Sequence, residues 1–295
     1  MLVATVGCLA TGCVSTSQVG TFSQAAGQAI TQVGNGFNEV QETTITRKLS
    51  DVASDTAAPK EASFEGLLDM KTELAPRLDC LNQIKNYADS LGNLANANYR
   101  TQIDAASANL YGSLNGLAKT YQKATSQKLP GSITDDTAII ATAIDAIGNS
   151  IVEYKRQAAL RKIILKIDPT IQTVCADLEK TFNELDQDRF IYMNLNSQVA
   201  DMTGYYNQQT VKWNYEQRFG YLNNIRQARL TRDGSEVFVA AAIKSISALA
   251  KAHHALADSA RHGKLSSSDI AQAIGELSDE ANKAKQFYDT IHGKN

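Results

Sequence analysis

The chain has 295 residues, 29 of them basic and 31 acidic, with a net charge of -2 and a pI near 6.1. That length suffices for one large core or two small ones, and the charge balance provides no global attraction to nucleic acid or to anionic lipid. Only four prolines occur, all before residue 170, while Ala, Leu, Ile, Gln and Lys are abundant, a composition that favours helix.

The first fifteen residues hold a short apolar run that ends in Leu9-Ala10-Thr11-Gly12-Cys13, after which Ser, Thr, Gln and Gly take over. A run of about eleven residues falls short of the ~20 needed to span a bilayer. It fits the apolar part of an export signal with small residues at the cut. The stretch resembles the lipobox of bacterial lipoproteins, which are cut before a cysteine that then carries lipid on its sulfur. The resemblance covers these fifteen residues only. It implies residues 1–12 as signal peptide and Cys13 as the lipidated residue. Because Val14 rather than Asp follows, it also implies an outer-membrane anchor, with the chain facing the periplasm or the cell surface. An ordinary secretory signal and a frayed apolar N-terminus in which Cys8 and Cys13 are incidental are the other readings.

Residues 13–60 read as the lipid anchor and a flexible tether. Gly20, Gly27, Gly34 and Gly36 interrupt a polar stretch that closes at Ala57-Ala-Pro-Lys60, and apolar spacing within Phe22–Val33 and Phe37–Val52 allows weak helix. As coil the tether spans roughly 35–40 Å.

Residues 61–295 form the predicted helical bundle domain, helical in period throughout, with no period-2 strand. The first helix is expected at about 62–96, kinked near Pro76, and the second at about 98–126. A third, about 135–167, has apolar residues at Ile140, Ile144, Ile147, Ile151, Tyr154 and Ala158, the spacing of a coiled-coil seam. Asp168-Pro169 is expected to end it and start another. From 169 to 231 a long helix is expected, disturbed near Gly204, followed by a helix between Asp233-Gly234 and Gly263 and a last one at about 267–291. The fold class is all-α: an elongated antiparallel bundle of about five or six helices with coiled-coil-like packing.

Two cysteines follow the signal region, Cys80 and Cys175. In an exported chain they are either a disulfide or two buried free thiols.

Catalytic signatures are absent from the sequence: there is no glycine-rich phosphate loop, His-Glu-x-x-His, Cys-x-x-Cys-His or Gly-x-Ser-x-Gly, and no cofactor is called for. Adjacent His253 and His254 point about 100° apart on a helix and do not chelate one ion together, so His253 reads as a hydrogen-bonded core histidine, with metal binding the alternative. Glu179, Glu184, Asp186 and Asp188 read as a solvated face.

The unusual segment is 190–232. It holds Phe190, Tyr192, Tyr205, Tyr206, Trp213, Tyr215, Phe219 and Tyr221, with Lys212, Arg218, Arg226, Arg229 and Arg232 among them. Aromatic residues with Arg are enriched at protein-interface hot spots. The candidate partner-binding residues are therefore Tyr205, Tyr206, Trp213, Tyr215, Arg218, Phe219 and Tyr221. The competing reading continues the buried seam through Tyr192, Tyr206 and Trp213, with the basic residues solvated.

These features predict a lipid-anchored, non-catalytic envelope protein that binds. Its expected partners are the membrane through the N-terminal lipid and an envelope protein, with a homo-oligomer admitted and nucleic acid not expected. A membrane-active helical protein, supported by the Ala/Ile-rich stretch 237–250, and a metal-binding or enzymatic bundle are the alternatives.

Overall fold

A computed structural model describes residues 15–54, 69–129, 153–187, 190–262 and 267–292. Every regular element among them is helical: α1 Thr16–Ser54, α2 Asp69–Asn96, α3 Arg100–Thr125, α4 Glu153–Gln187, α5 Phe190–Gln209, α6 Tyr215–His262 and α7 Ser267–Ile291. The described helices number seven, more than the five or six expected. The third predicted helix begins at about 135, and its residues before 153 lie outside the described residues, as do Cys8 and Cys13.

The stretch expected as a tether is a core helix. Ser15 and Gln18 open α1 with a reciprocal pair: the Gln18 amide donates to Ser15 Oγ at 3.2 Å, and the Ser15 amide donates to Gln18 Oε1 at 3.0 Å. This satisfies two of the backbone donors that a helix start leaves without partners. From there Val19, Phe22, Ala26, Val33, Phe37 and Val40 face inward, all buried. Burying a Phe or Val stabilises by about 1.5–3 kcal/mol each, which outweighs the roughly 0.5–1 kcal/mol cost of each helical glycine. Gly36 and Gly234 are close-approach points, the first under the ring of Phe238 and the second under that of Phe287.

Cross-helix pairs fix the directions. Phe22 meets His253 and Phe37 meets Phe238, so α1 and α6 run antiparallel. In α2, Asn96 lies against Gly20 and Asp89 against Gly27, again antiparallel to α1. Gln83 against Gly116 does the same for α2 and α3. Asp168 with His253 and Phe182 with Phe37, itself against Phe238, set α4 antiparallel to α6. Phe238 and Phe287 stack across α6 and α7 at 4.7 Å. One continuous apolar core joins all seven helices, reaching α5 through Ile191 and Leu195.

Three expected helix boundaries move. Pro169 sits inside α4 rather than between two helices. A proline there costs about 3 kcal/mol, but Ile163, Ile164, Ile167, Ile171 and Val174 on the same helix are fully buried, and their summed burial exceeds that cost. The break expected at Gly204 occurs instead at residues 210–214. Finally, α6 runs unbroken through Asp233-Gly234 to His262.

Cys80 and Cys175 are both buried and both free, so the disulfide reading gives way to two free thiols. Burial pushes both thiols up, Cys175 to about 12 with the Glu179 charge adding to the effect.

Candidate functional site

Two groups of side chains stand out from the packing. The first is buried and polar. Asp168 on α4 is 3% exposed and takes hydrogen bonds from two neighbouring residues of α6. A carboxylate can only accept, so Nδ1–H of His253 donates to Oδ1 at 3.0 Å and Nδ1–H of His254 donates to Oδ2 at 2.9 Å. The Tyr87 hydroxyl of α2 then donates to Nε2 of His253 at 2.8 Å. Gln172 Nε2 bridges Asp168 Oδ1 and the Ala250 carbonyl. Burial by itself raises the Asp168 carboxyl, but the hydrogen bonds of His253 and His254, and their charges where the rings are protonated, reverse this and hold it at about 2. Burial drives the Tyr87 phenol well above its ordinary value, and the Asp168 charge adds to that.

His253 and Tyr87 are both fully buried, and the group pins α2, α4 and α6 together. His253 is the hydrogen-bonded core histidine that its seam position suggested. The second histidine points outward, as the 100° step requires, yet returns to the other oxygen of the same carboxylate. Among the described residues no three metal-ligating side chains converge.

The second group is the end of the α5–α6 hairpin. Asn214 and Gln217 start α6 as Ser15 and Gln18 start α1: Gln217 N–H donates to Asn214 Oδ1 at 2.9 Å, and Asn214 N–H donates to Gln217 Oε1 at 3.0 Å. Below the turn, Val199, Met202, Ile225 and Ala228 form a small core of their own, separate from the main one, with Tyr206 and Tyr221 packed against it.

Of the seven residues singled out in the sequence, four make an inner cluster. The ring of Trp213 lies 5.8 Å from that of Tyr205, 6.0 Å from Tyr206 and 5.1 Å from Tyr221. Burial pushes the Tyr221 phenol up, with Tyr205 contributing. Two more, Tyr215 and Phe219, stack on each other at 6.0 Å and face outward, 70% and 56% exposed. Arg218 folds back, with Nη1 at 3.5 Å from the Thr210 carbonyl.

Two exposed apolar residues were missed in the sequence: Val211 in the turn, 89% exposed, and Leu222, 45% exposed. The spacing 215, 219, 222 is the signal that locates Leu222 on the face of Tyr215 and Phe219.

Beside this face a groove of about 400 Å³ runs between α5 and α6, lined by Thr203, Tyr206, Asn207, Leu222, Arg226 and Arg229 among others. Neither Arg226 nor Arg229 has an ion-pair partner among the described residues. Between residues 205 and 230, four basic side chains (Lys212, Arg218, Arg226, Arg229) stand against one acidic, Glu216, a local excess of positive charge on a chain that is net negative.

No helix among the described residues is long and apolar enough to cross a membrane. Comparison with protein-family models, with curated proteins and with solved structures returns no match.

Proposed function

We propose that this chain is a lipid-anchored protein of the cell envelope that works by binding, without catalysis, and that its contact surface is the end of the α5–α6 hairpin. The observation that carries the reading is the exposure of Val211, Tyr215, Phe219 and Leu222 together at one end of a hairpin. Isolated exposed apolar residues need no explanation, whereas a contiguous group beside basic residues marks an interaction site. The ring-on-ring cluster beneath them holds the hairpin end rigid, which lowers the ordering cost of binding.

Placement supports the same reading. Cys13, the proposed acylated residue, lies three residues before α1. Phe22 of α1 meets His253, and from His253 back to Tyr215 α6 rises about 57 Å at 1.5 Å per residue. An anchor at Cys13 therefore puts the aromatic surface at the far end of the molecule from its own membrane. In this reading the helices form a rod with coiled-coil-like seams that carries the surface outward to an envelope protein or to a second copy of the chain.

Two measurements test it. Radioactive palmitate should label the native chain and not Cys13→Ser; equal labelling of both removes the anchor. Affinity purification from membranes should recover a partner that a Tyr215→Ala/Phe219→Ala variant of unchanged melting temperature loses. An identical set of partners with both chains removes the surface.

A further inference from the structure

We infer that the hairpin end takes an amphipathic α-helix of a partner protein, one that carries acidic residues beside its apolar face. The inference rests on the binding surface proposed above and names the class of its occupant. On α6 the residues Tyr215, Phe219, Leu222, Arg226 and Arg229 follow each other by 4, 3, 4 and 3 positions. At 100° per residue all five fall within about 40° of one line along the helix, and the line is about 21 Å long, nearly four helical turns. The stripe is apolar at the end near the turn and basic toward the body, and each of its residues is exposed.

The wall beside it decides the shape of the occupant. Thr203, Tyr206 and Asn207 of α5 stand along the lower half of the stripe and make it one side of the 400 Å³ groove. Among the described residues, two antiparallel helices with an exposed stripe, apolar near the turn and basic along the groove, leave the third place of a three-helix bundle open, and an apolar helix face laid into a groove is a recurrent mode of recognition. A bilayer meets a convex tip; this stripe continues away from the tip and into a concavity.

Charge decides the chemistry of the occupant. Arg226 and Arg229 lie on the stripe without ion-pair partners among the described residues, and the hairpin end carries four basic groups to one acidic. A neutral or basic helix would leave two guanidinium groups beside apolar contacts uncompensated, whereas carboxylates one or two turns along the incoming helix meet them as charge-assisted, bidentate pairs.

The test places benzoylphenylalanine at position 222 of the full chain, irradiates intact membranes and identifies the linked species by mass spectrometry. The expected product is a peptide with helical apolar spacing and Asp or Glu on the flanks of that face. Yield should fall at least about tenfold when Arg226→Glu and Arg229→Glu are added, and should survive Arg226→Lys with Arg229→Lys. The helical signal and melting temperature of each variant confirm folding. Adduct to phospholipid, to a second copy of this chain, or to a peptide without acidic residues overturns the acidic helix while leaving the binding surface in place. Yield unchanged by charge reversal does the same. No adduct at position 222, and none from a second probe at position 219, overturns both.

Discussion

Gly36 of α1 lies directly beneath Phe238 of α6: a Cβ built at Gly36 would come within 2.0 Å of Phe238 Cε2 and 2.3 Å of Cζ. Phe238 cannot swing aside freely, because its ring is edge-on to Phe37 at 5.1 Å and stacked on Phe287 at 4.7 Å. Gly36→Ala should therefore destabilise by about 1–3 kcal/mol through overpacking. Gly34, two residues earlier on the same helix, has nothing within 4 Å of its would-be Cβ. Gly34→Ala should stabilise by about 0.5–1 kcal/mol. Urea midpoints of the two variants moving in the same direction would contradict this packing.

Phe37 stacks on Phe182 at 4.5 Å and is 1% exposed. Replacing it with Ala removes a filled volume that its two aromatic neighbours, Phe182 and Phe238, cannot close, at a cost of about 3–5 kcal/mol. A tether residue would tolerate the same change without loss, so the thermal midpoint of Phe37→Ala separates a core α1 from a loose one.

That α1 was read from the sequence as a tether has a local cause. Its apolar spacing is plain at Val19, Phe22, Ala26, Val33, Phe37 and Val40, and Ser15-x-x-Gln18 is a helix-start pattern. The four glycines among them read as breakers, although Gly36 is there to admit a ring. The opposite error came at Asp168-Pro169, where proline read as a helix end. The stop signal is local, whereas the five buried branched residues that override it act through partners far along the chain. By contrast α3 and α7 were legible, since neither Arg100–Thr125 nor Ser267–Ile291 holds a proline, and Gly112, Gly116 and Gly275 are too few to mask the period. Of the candidate site, the aromatic and basic residues were visible as composition. Which four turn inward and which two face out depends on the turn at 210–214, about two helical turns past the glycine expected to make it. Asp168 was invisible as a partner of His253 because 85 positions separate them.

Asp168 also makes stability depend on pH. Its carboxyl stands at about 2 in the folded chain against an ordinary 3.8, so between those values the unfolded chain binds more protons and folding weakens as pH falls. The contribution is complete above pH 5 and amounts to about 2 kcal/mol. Asp168→Asn should be less stable than the native chain at pH 7, and the gap should be about 1 kcal/mol narrower at pH 3. A gap of constant size across urea titrations at pH 7, 5 and 3 would show that the two histidines do not hold the charge.

Tyr87→Phe keeps the ring and removes only the hydroxyl that donates to Nε2 of His253. The buried nitrogen loses its partner, and the loss should be about 1–3 kcal/mol without change in helical content. Denaturant midpoints within 0.3 kcal/mol of the native chain, about the size of a neutral surface change, would mean that the hydrogen bond has no structural weight.

The buried thiols predict a reactivity pattern. In a Cys8→Ser/Cys13→Ser background at pH 8, dithionitrobenzoate should find neither Cys80 nor Cys175 in the native chain. Burial denies access, and a thiol pushed up to about 12 holds only about one part in ten thousand as thiolate. In denaturant without reductant both should react at once. Silence in denaturant would mean that the two sulfurs are bonded to each other.

Among the described helices, α1 is completed by α7. Gln28 of α1 donates to Asn282 of α7 at 3.2 Å, across 254 positions of chain, and His292 reaches Glu39 at 3.5 Å. During synthesis α1 therefore waits for one of its neighbours until α7 has left the ribosome, with a greasy flank open to any passing holdase or aggregate. A stop codon before Ser267 strips α1 of that cover as surely as it removes α7.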